Sequence, residues 1–278
     1  RNRPTGITAT ERELNGLKSI GANALWLAAP FVAVGAVWEL WARFGSFPPK
    51  LFPSLITVAD TFVRLAISGV LWAATEATLV RLVLGFVLAA VVGVIVGILM
   101  GRYQWVEDLL VPIVSIGYPI PGLAYAPLFV LWFGLGDLPA ILLVAVASTF
   151  VVIINTWKGV RAVNPIWIRA AESMGARDRQ LFRLVILPAA LPYVLTGLRL
   201  GLAQAWRILV AVEMLMSVSR GLGWMIFGAQ EFLATDVMLS SIAAIGFIGV
   251  LLEKQVFERL ERYTLVRWGM MTSTDSLP

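Results

Sequence analysis

Long stretches without a single charged residue limit what this chain can fold into. Five of them hold between 16 and 28 residues each: Ser19–Trp38, Leu82–Gly101, Leu109–Gly136, Leu138–Trp157 and Val237–Leu252. A helix of about 20 mostly apolar residues crosses roughly 30 Å of hydrocarbon. These stretches therefore predict transmembrane helices.

A sixth apolar stretch lies between Arg183 and Arg220 and is broken only by Arg199, Arg207 and Glu213. Backbone groups in lipid must be hydrogen-bonded internally, and six uniformly apolar segments are too few for a barrel of alternating strands. The sequence therefore predicts an all-α membrane protein with six transmembrane helices. We place them at residues 22–42, 77–100, 109–134, 138–157, 191–218 and 236–254.

Composition excludes several classes of protein. Of the 278 residues, 59% are hydrophobic and 14% are charged, against about 25% charged in soluble domains. The chain has no cysteine and no histidine, which excludes disulfides, His-liganded metal sites and Ser-His catalysis. We attribute the net charge of +5 to Lys and Arg held on one side of a lipid bilayer, and we expect no nucleic acid as a partner.

Lysine and arginine residues also predict the orientation. With both termini in the cytoplasm, 15 of them lie in inside segments and 4 in outside loops, which favours an N-in/C-in topology.

The first 18 residues are polar, so we expect the first span to be retained rather than removed as a signal peptide. We expect a cytoplasmic segment at 1–21, a six-span domain at 22–255 with a cytoplasmic loop at 158–190, and a cytoplasmic tail at 256–278. Residues 53–68 predict a short helix at the membrane interface.

The segment at residues 155–190 is too long for a simple connection between two helices, which needs about 2–8 residues. Ala171, Met174 and Leu181 recur at helical spacings, Gly175 interrupts the run, and Pro188 marks the return to the membrane. The pattern predicts two short helices separated by a glycine bend. Their small residues favour close docking against another protein.

The sequence of residues 169–206, RAAESMGARDRQLFRLVILPAALPYVLTGLRLGLAQAW, resembles the EAA loop of binding-protein-dependent ABC importer permeases. The family pattern is Glu-Ala-Ala, three residues, Gly, nine residues, Ile-x-Leu-Pro. This chain has five of these positions in register: Ala170, Ala171, Gly175, Leu187 and Pro188. Arg169 replaces the family Glu and Val185 replaces the Ile. Glu172, three residues beyond Arg169, lies near the same helical face and is a candidate to compensate for the reversed charge.

The resemblance extends over roughly residues 72–255 and includes the segments PIPGLAYAPLFVLWFGLG (119–136), AVEML (211–215) and GLGWMI (221–226). It is strongest to the nitrate/sulfonate/taurine subfamily. It implies a type I ABC importer permease fold in a bacterial inner membrane, and a transport subunit rather than an enzyme. The implied coupling residues are Arg169, Ala170, Ala171, Glu172, Gly175, Ala176, Leu187 and Pro188.

Partners are also implied by the resemblance. The chain lacks a G-x-x-x-x-G-K-[ST] phosphate loop. ATP and Mg²⁺ would therefore be bound by two separate ABC ATPase subunits, and we expect no cofactor in this chain. A second copy of the chain would complete the translocation path, and an extracytoplasmic binding protein would deliver the solute. The implied solute is a small anion similar to nitrate, a sulfonate or taurine.

Four prolines in the third predicted span disfavour a straight helix: Pro112, Pro119, Pro121 and Pro127. Broken helices at membrane depth often form solute sites. The segment from Tyr118 to Tyr125, with Pro119 and Pro121, is thus either a gate or pathway wall, or a kink that serves only packing.

Charged residues inside the fifth predicted span are further candidates, because a charge at the bilayer centre costs about 3 kcal/mol. We expect Arg207 to face the protein interior, with either a carboxylate or an anionic solute as its partner. Glu213 lies six residues on, about 240° around the helix, so its partner belongs on another helix or on the second copy. For both residues a structural ion pair and a pathway contact remain open. Arg81 and Arg199 lie near span ends, where snorkelling explains them.

Two other functions are less compatible with the sequence. An ion-coupled secondary transporter needs intramembrane carboxylates, and only Glu213 is well placed for that role. An intramembrane enzyme would need a Ser-Lys pair, but the lysines lie outside the predicted spans or, for Lys254, at the last residue of one: Lys18, Lys50, Lys158 and Lys254.

Overall fold

The structure, a computed structural model, describes residues 9–216 and 219–258. Within these residues every regular element is helical. The α-helices are α1 (Ala9–Phe44), α2 (Leu55–Ile67), α3 (Val70–Arg102), α4 (Gln104–Gly117), α5 (Ala126–Phe133), α6 (Asp137–Arg161), α7 (Pro165–Ser173), α8 (Asp178–Leu181), α9 (Leu187–Leu215), α10 (Leu222–Glu231) and α11 (Thr235–Leu251). A 3₁₀ turn spans Gly122–Tyr125, and π-helical turns span Phe182–Ile186 and Leu252–Glu258.

Helices lie over all six predicted spans. In the described part of the chain, four helical stretches are long and apolar enough to cross a membrane: Val70–Arg102, Asp137–Arg161, Asp178–Leu215 and Thr235–Gln255. The helix α4 together with the 3₁₀ turn and α5 is apolar enough to count as a fifth, broken span or as a re-entrant loop, with a bend of 91° between the two parts. Residues 22–42, the first predicted span, lie within α1. The all-α prediction is confirmed, and the third predicted span proves to be two helices at about a right angle.

Four glycines on one face of α3 pack directly against α6: Gly85, Gly93, Gly97 and Gly101. A Cβ atom on Gly93 would lie 2.6 Å from the Cβ of Val152, and one on Gly97 would lie 2.6 Å from the Cβ of Thr156. Carbon atoms that are not bonded do not approach so closely, so α3 and α6 can meet at this distance only without these side chains. The Gly93-x-x-x-Gly97 spacing therefore serves packing within one subunit.

Helix α9 packs against α6 in a similar way. Gly197 lies against Asn155 and Gly201 lies against Val152. Buried apolar side chains of α3, α6 and α9, including Leu82, Leu143 and Leu209, belong to one continuous core with residues of α5, α10 and α11. The three long helices thus form the centre of the chain.

The remaining helices surround this centre. The predicted short helix at residues 53–68 is α2, which begins after the capping residue Ser54. The hydroxyl of Thr61 donates a hydrogen bond to Asp236 Oδ2 (2.7 Å) and so joins α2 to α11. Trp38 of α1 stacks on Phe52 with a centroid separation of 4.2 Å. The position of α2 at the membrane interface and the segment boundaries at 21 and 255 stay predictions, and residues 259–278 of the predicted tail lie outside the described residues.

Candidate functional site

Local sequence signals define the beginning of α7 in the predicted coupling loop. Asn164 precedes the helix, and its side-chain oxygen accepts a hydrogen bond from the Ile166 N–H (2.9 Å). Pro165 occupies the first helical position, where a missing N–H group is tolerated. The cap and the proline together fix where the chain turns after α6.

A glycine ends α7 in a Schellman motif. Gly175 has a φ of +82°, a conformation that glycine adopts without strain. Its N–H donates to the Glu172 carbonyl (2.9 Å), and the Ala176 N–H donates to the Ala171 carbonyl (3.0 Å). The predicted glycine bend is present. The second predicted short helix is not separate, because α8 continues through the π-helical turn into α9.

The surface of α7 is unusual because none of its nine residues is buried in the chain. Ile166 is 60% exposed and Trp167 is 55% exposed, and Met174, just past the helix end, is 87% exposed. Exposed apolar side chains in a cluster mark interaction surfaces. Arg169 and Glu172 are both exposed on the same helix, and within the described residues they form no ion pair with each other.

The loop is anchored to the membrane helices on its other side. Leu181 and Ile186 are buried against Val160 and Val163 at the end of α6. The π-helical turn at Phe182–Ile186 leads directly into α9, whose first residues are Leu187 and Pro188. A displacement of α7 and α8 would therefore be transmitted to both α6 and α9.

The break between α4 and α5 falls at two of the four prolines. Pro119 and Pro121 lie in the break, whereas Pro112 lies inside α4 and Pro127 near the start of α5. Because Pro119 has no N–H, the carbonyl four residues before it loses its helical donor. Tyr118 is 53% exposed, and it lines a cavity of about 260 Å³ together with Tyr125, Phe150 and Gln204. The structure thus confirms a helix break at Tyr118–Tyr125.

The structure separates Arg207 from Glu213. Arg207 is exposed in the single chain, and among the described residues its hydrogen bond is from Nε to the Ala203 carbonyl of its own helix (3.1 Å). Glu213 is fully buried and bonds to Arg81 on α3. The prediction of a partner on another helix is confirmed for Glu213. The expectation that Arg207 faces the protein interior is wrong for the single chain, because the residue is exposed there.

Arg81 is the residue that the sequence interpretation missed. Only 4% of its side chain is exposed, so snorkelling does not explain it. Its Nη1 donates to Glu213 Oε1 (2.7 Å), and its Nε donates to Asp137 Oδ1 (2.8 Å). The guanidinium thus joins α3, α6 and α9. Arg199 is 39% exposed and pairs with Glu253 (3.1 Å), which lies just beyond the end of α11.

Glu213 also holds the beginning of α10. Its carboxylate accepts hydrogen bonds from the Thr78 hydroxyl and from the Gly223 N–H, both at 3.0 Å. The Leu222 N–H donates to Thr78 Oγ1 (3.0 Å). A Cβ atom on Gly221 would lie 2.6 Å from the carboxylate of Glu213. The AVEML and GLGWMI segments, which carry part of the family resemblance, are therefore in direct contact.

Comparison with known proteins places this architecture in a family. Residues 89–253 match the model of the binding-protein-dependent transport system inner membrane component. The taurine transport system permease protein TauC of Escherichia coli (strain K12) is 44% identical over 222 residues, which are 78% of this chain and 80% of TauC. The putative aliphatic sulfonates transport permease protein SsuC of the same organism is 38% identical over 251 residues, which are 88% of this chain and 94% of SsuC.

A solved structure has the same fold. A chain from an inward-facing conformation of the MetNI methionine ABC transporter superposes with a TM-score of 0.56 at 20% identity, over 70% of this chain and 96% of that chain. These comparisons give no support to an ion-coupled secondary transporter. The chain belongs to the family of binding-protein-dependent transport system inner membrane components, and it is a multi-pass permease subunit of an ABC importer whose ATPase belongs to separate subunits.

Proposed function

We propose that α7 and its glycine bend dock into a cytoplasmic ABC ATPase subunit, and that this contact couples ATP hydrolysis to solute passage. The observation that carries the proposal is a nine-residue helix with no buried residue and an exposed Trp167. The docking residues would be those of the motif, Arg169 to Glu172 with Gly175 and Ala176, and Leu187 and Pro188 would carry the motion into α9. ATP and Mg²⁺ would be bound by the ATPase subunits.

The translocation path would be completed by a second copy of this chain, with one ATPase subunit on each. Support comes from α9, on which Leu200, Ala203 and Arg207 form an exposed stripe at helical spacing. An exposed arginine within a membrane span is unfavourable against lipid, and symmetric pairing is the commonest way to enclose such a surface.

The solute we propose is a small organic anion that carries a sulfonate group, delivered by an extracytoplasmic binding protein. TauC and SsuC, by their names, transport taurine and aliphatic sulfonates. Arg207 would contact the anion, and Tyr118, Pro119, Pro121 and Tyr125 would form the pathway wall beside it. For Glu213 we propose the structural role, an ion pair with Arg81, because its side chain is fully buried against that residue.

Docking is tested by Trp167→Ala in the purified complex with the ATPase subunit. Tryptophan anchors at interface centres contribute about 2 kcal/mol or more, so the affinity for the ATPase should fall roughly 30-fold. Trp72→Ala is the matched control, since Trp72 is exposed at the opposite end of α3 from the loop.

Binding of the ATPase to the permease in detergent, followed by native mass measurement, gives both the affinity and the stoichiometry. We expect two permease copies and two ATPase subunits. Equal affinity of both variants and the unmodified permease would contradict docking through α7, and a stable assembly with one permease copy would contradict the homodimer.

A further inference from the structure

A groove between α9 and α11 combines apolar walls with positive charge. It encloses about 310 Å³ and is lined by Trp206, Ile245, Gly246, Gly249 and Val250, among others. Its charged residues are Arg199, Arg207 and Glu253. Since Glu253 pairs with Arg199 at 3.1 Å, the groove keeps a net charge of +1.

Arg207 lies near the middle of the predicted span 191–218. It lines the groove together with Ile245 and Gly246, which are near the middle of the membrane helix α11 (Thr235–Leu251). A charge at this depth needs a partner of opposite sign. A lipid headgroup would lie too far away, because headgroups lie about 15 Å from the centre of the hydrocarbon core.

The wall opposite Arg207 contains two glycines with different surroundings. A Cβ atom on Gly249 would lie 2.9 Å from Trp206 Nε1, so Gly249 serves packing. A Cβ atom on Gly246 would meet nothing within 4 Å. Gly246 therefore leaves space in the groove that packing between the helices does not require.

We propose that this groove binds an organic anion with a short apolar tail, and that Gly246 sets the tail length that fits. The anionic head would pair with Arg207, and the tail would lie along Gly246 between Trp206 and Val250. The proposal rests on the proposed function, since it assigns a subsite to the solute of the same transporter. Charge complementarity supports this occupant, because a purely apolar occupant would leave Arg207 without a counter-charge.

Variants of Gly246 test the proposal without disturbing the fold. Gly246→Leu puts a side chain into the open space, and leucine favours a helix more than glycine does. Gly228 on α10 is the matched control, since a Cβ atom there also meets nothing within 4 Å and the residue lies outside the groove. Gly246→Leu and the control Gly228→Leu should both unfold at the same temperature as the unmodified complex or above it.

Binding is measured as the rise in unfolding temperature of the assembled transporter with methanesulfonate, hexanesulfonate or hexanol. Each methylene group excluded from an apolar site lowers the affinity about fourfold. Gly246→Leu should therefore lower the affinity for hexanesulfonate by about tenfold or more and leave the affinity for methanesulfonate unchanged. Gly228→Leu should change neither affinity. Arg207→Gln should abolish the response to both sulfonates, and hexanol should give none.

The proposal is overturned if Gly246→Leu binds both sulfonates as the unmodified complex does, if Arg207→Gln still binds hexanesulfonate, or if hexanol stabilises as well as hexanesulfonate. Uptake into vesicles, measured in parallel, separates this proposal from the function on which it rests. If binding follows the expected pattern but no sulfonate is taken up, the proposed solute is refuted and the binding site in the groove is retained. If Gly246→Leu takes up sulfonates with the same dependence on chain length as the unmodified complex, the binding site in the groove is refuted and the proposed transport function is retained.

Discussion

Neutralising either partner of the Arg81–Glu213 ion pair is expected to destabilise the chain strongly. The side chains are 4% and 0% exposed, and the Nη1–Oε1 distance is 2.7 Å. Removing one partner of a buried pair costs about 3–5 kcal/mol, because the other charge stays buried without compensation. An exposed pair contributes about 0–1 kcal/mol.

The contacts of each partner rank the two variants. In Glu213→Gln, Arg81 keeps Asp137 at 2.8 Å, and the new amide oxygen can still accept from Thr78 or from the Gly223 N–H. We expect this variant to lower the free energy of unfolding by about 3 kcal/mol. Arg81→Gln leaves the fully buried Glu213 carboxylate without its cation, so we expect it to lower the free energy of unfolding by about 5 kcal/mol.

A double-mutant cycle measured by unfolding of the assembled complex checks the coupling. With both residues neutralised, the loss should be smaller than the sum of the single losses by about 2–3 kcal/mol. Arg43→Gln is the control, because Arg43 pairs with Glu39 but its side chain is 56% exposed. Single losses as small as that of the control, or strictly additive losses, would refute the assignment of Arg81 as the main partner of Glu213.

Two more variants address the loop and the helix core. Gly175→Pro is expected to abolish binding of the ATPase subunit, because proline holds φ near −65° and Gly175 has +82°; normal transport by this variant would contradict docking through the bend. Gly97→Leu is expected to lower stability by about 1–3 kcal/mol or more, since its Cβ would lie 2.6 Å from that of Thr156. Unchanged unfolding of Gly97→Leu would contradict the close approach of α3 and α6.

Helix positions follow from the sequence because the bilayer imposes one simple rule on every span. The charge-free stretch that begins at Leu138 ends at Trp157, and α6 extends beyond it only to Asp137 and Arg161. The glycine bend was equally predictable, because Gly175 stands where two helical patterns meet. These features depend on neighbouring residues alone.

The partners of the charged residues could not be predicted in the same way. Arg81 and Arg207 are both arginines within apolar helices, yet one is buried and the other is exposed. Helix α3 is apolar on all sides, so its sequence does not indicate which side faces the core. The contact of Arg81 with Glu213 joins residues 132 positions apart, and only the packing of α3 against α9 brings them together.

Helix α9 connects the features to which we assign a function. It begins at Leu187 directly after the loop and carries Arg207 about 30 Å further along its axis. Near its other end Glu213 is fixed to α3 and, through Arg81 and Asp137, to α6. Because glycine packing and this ion pair hold the three helices together, we expect a displacement of α7 that reaches α9 to move Arg207 with the core as one body. A solute bound at Arg207 would then change its surroundings whenever the ATPase subunits move the loop.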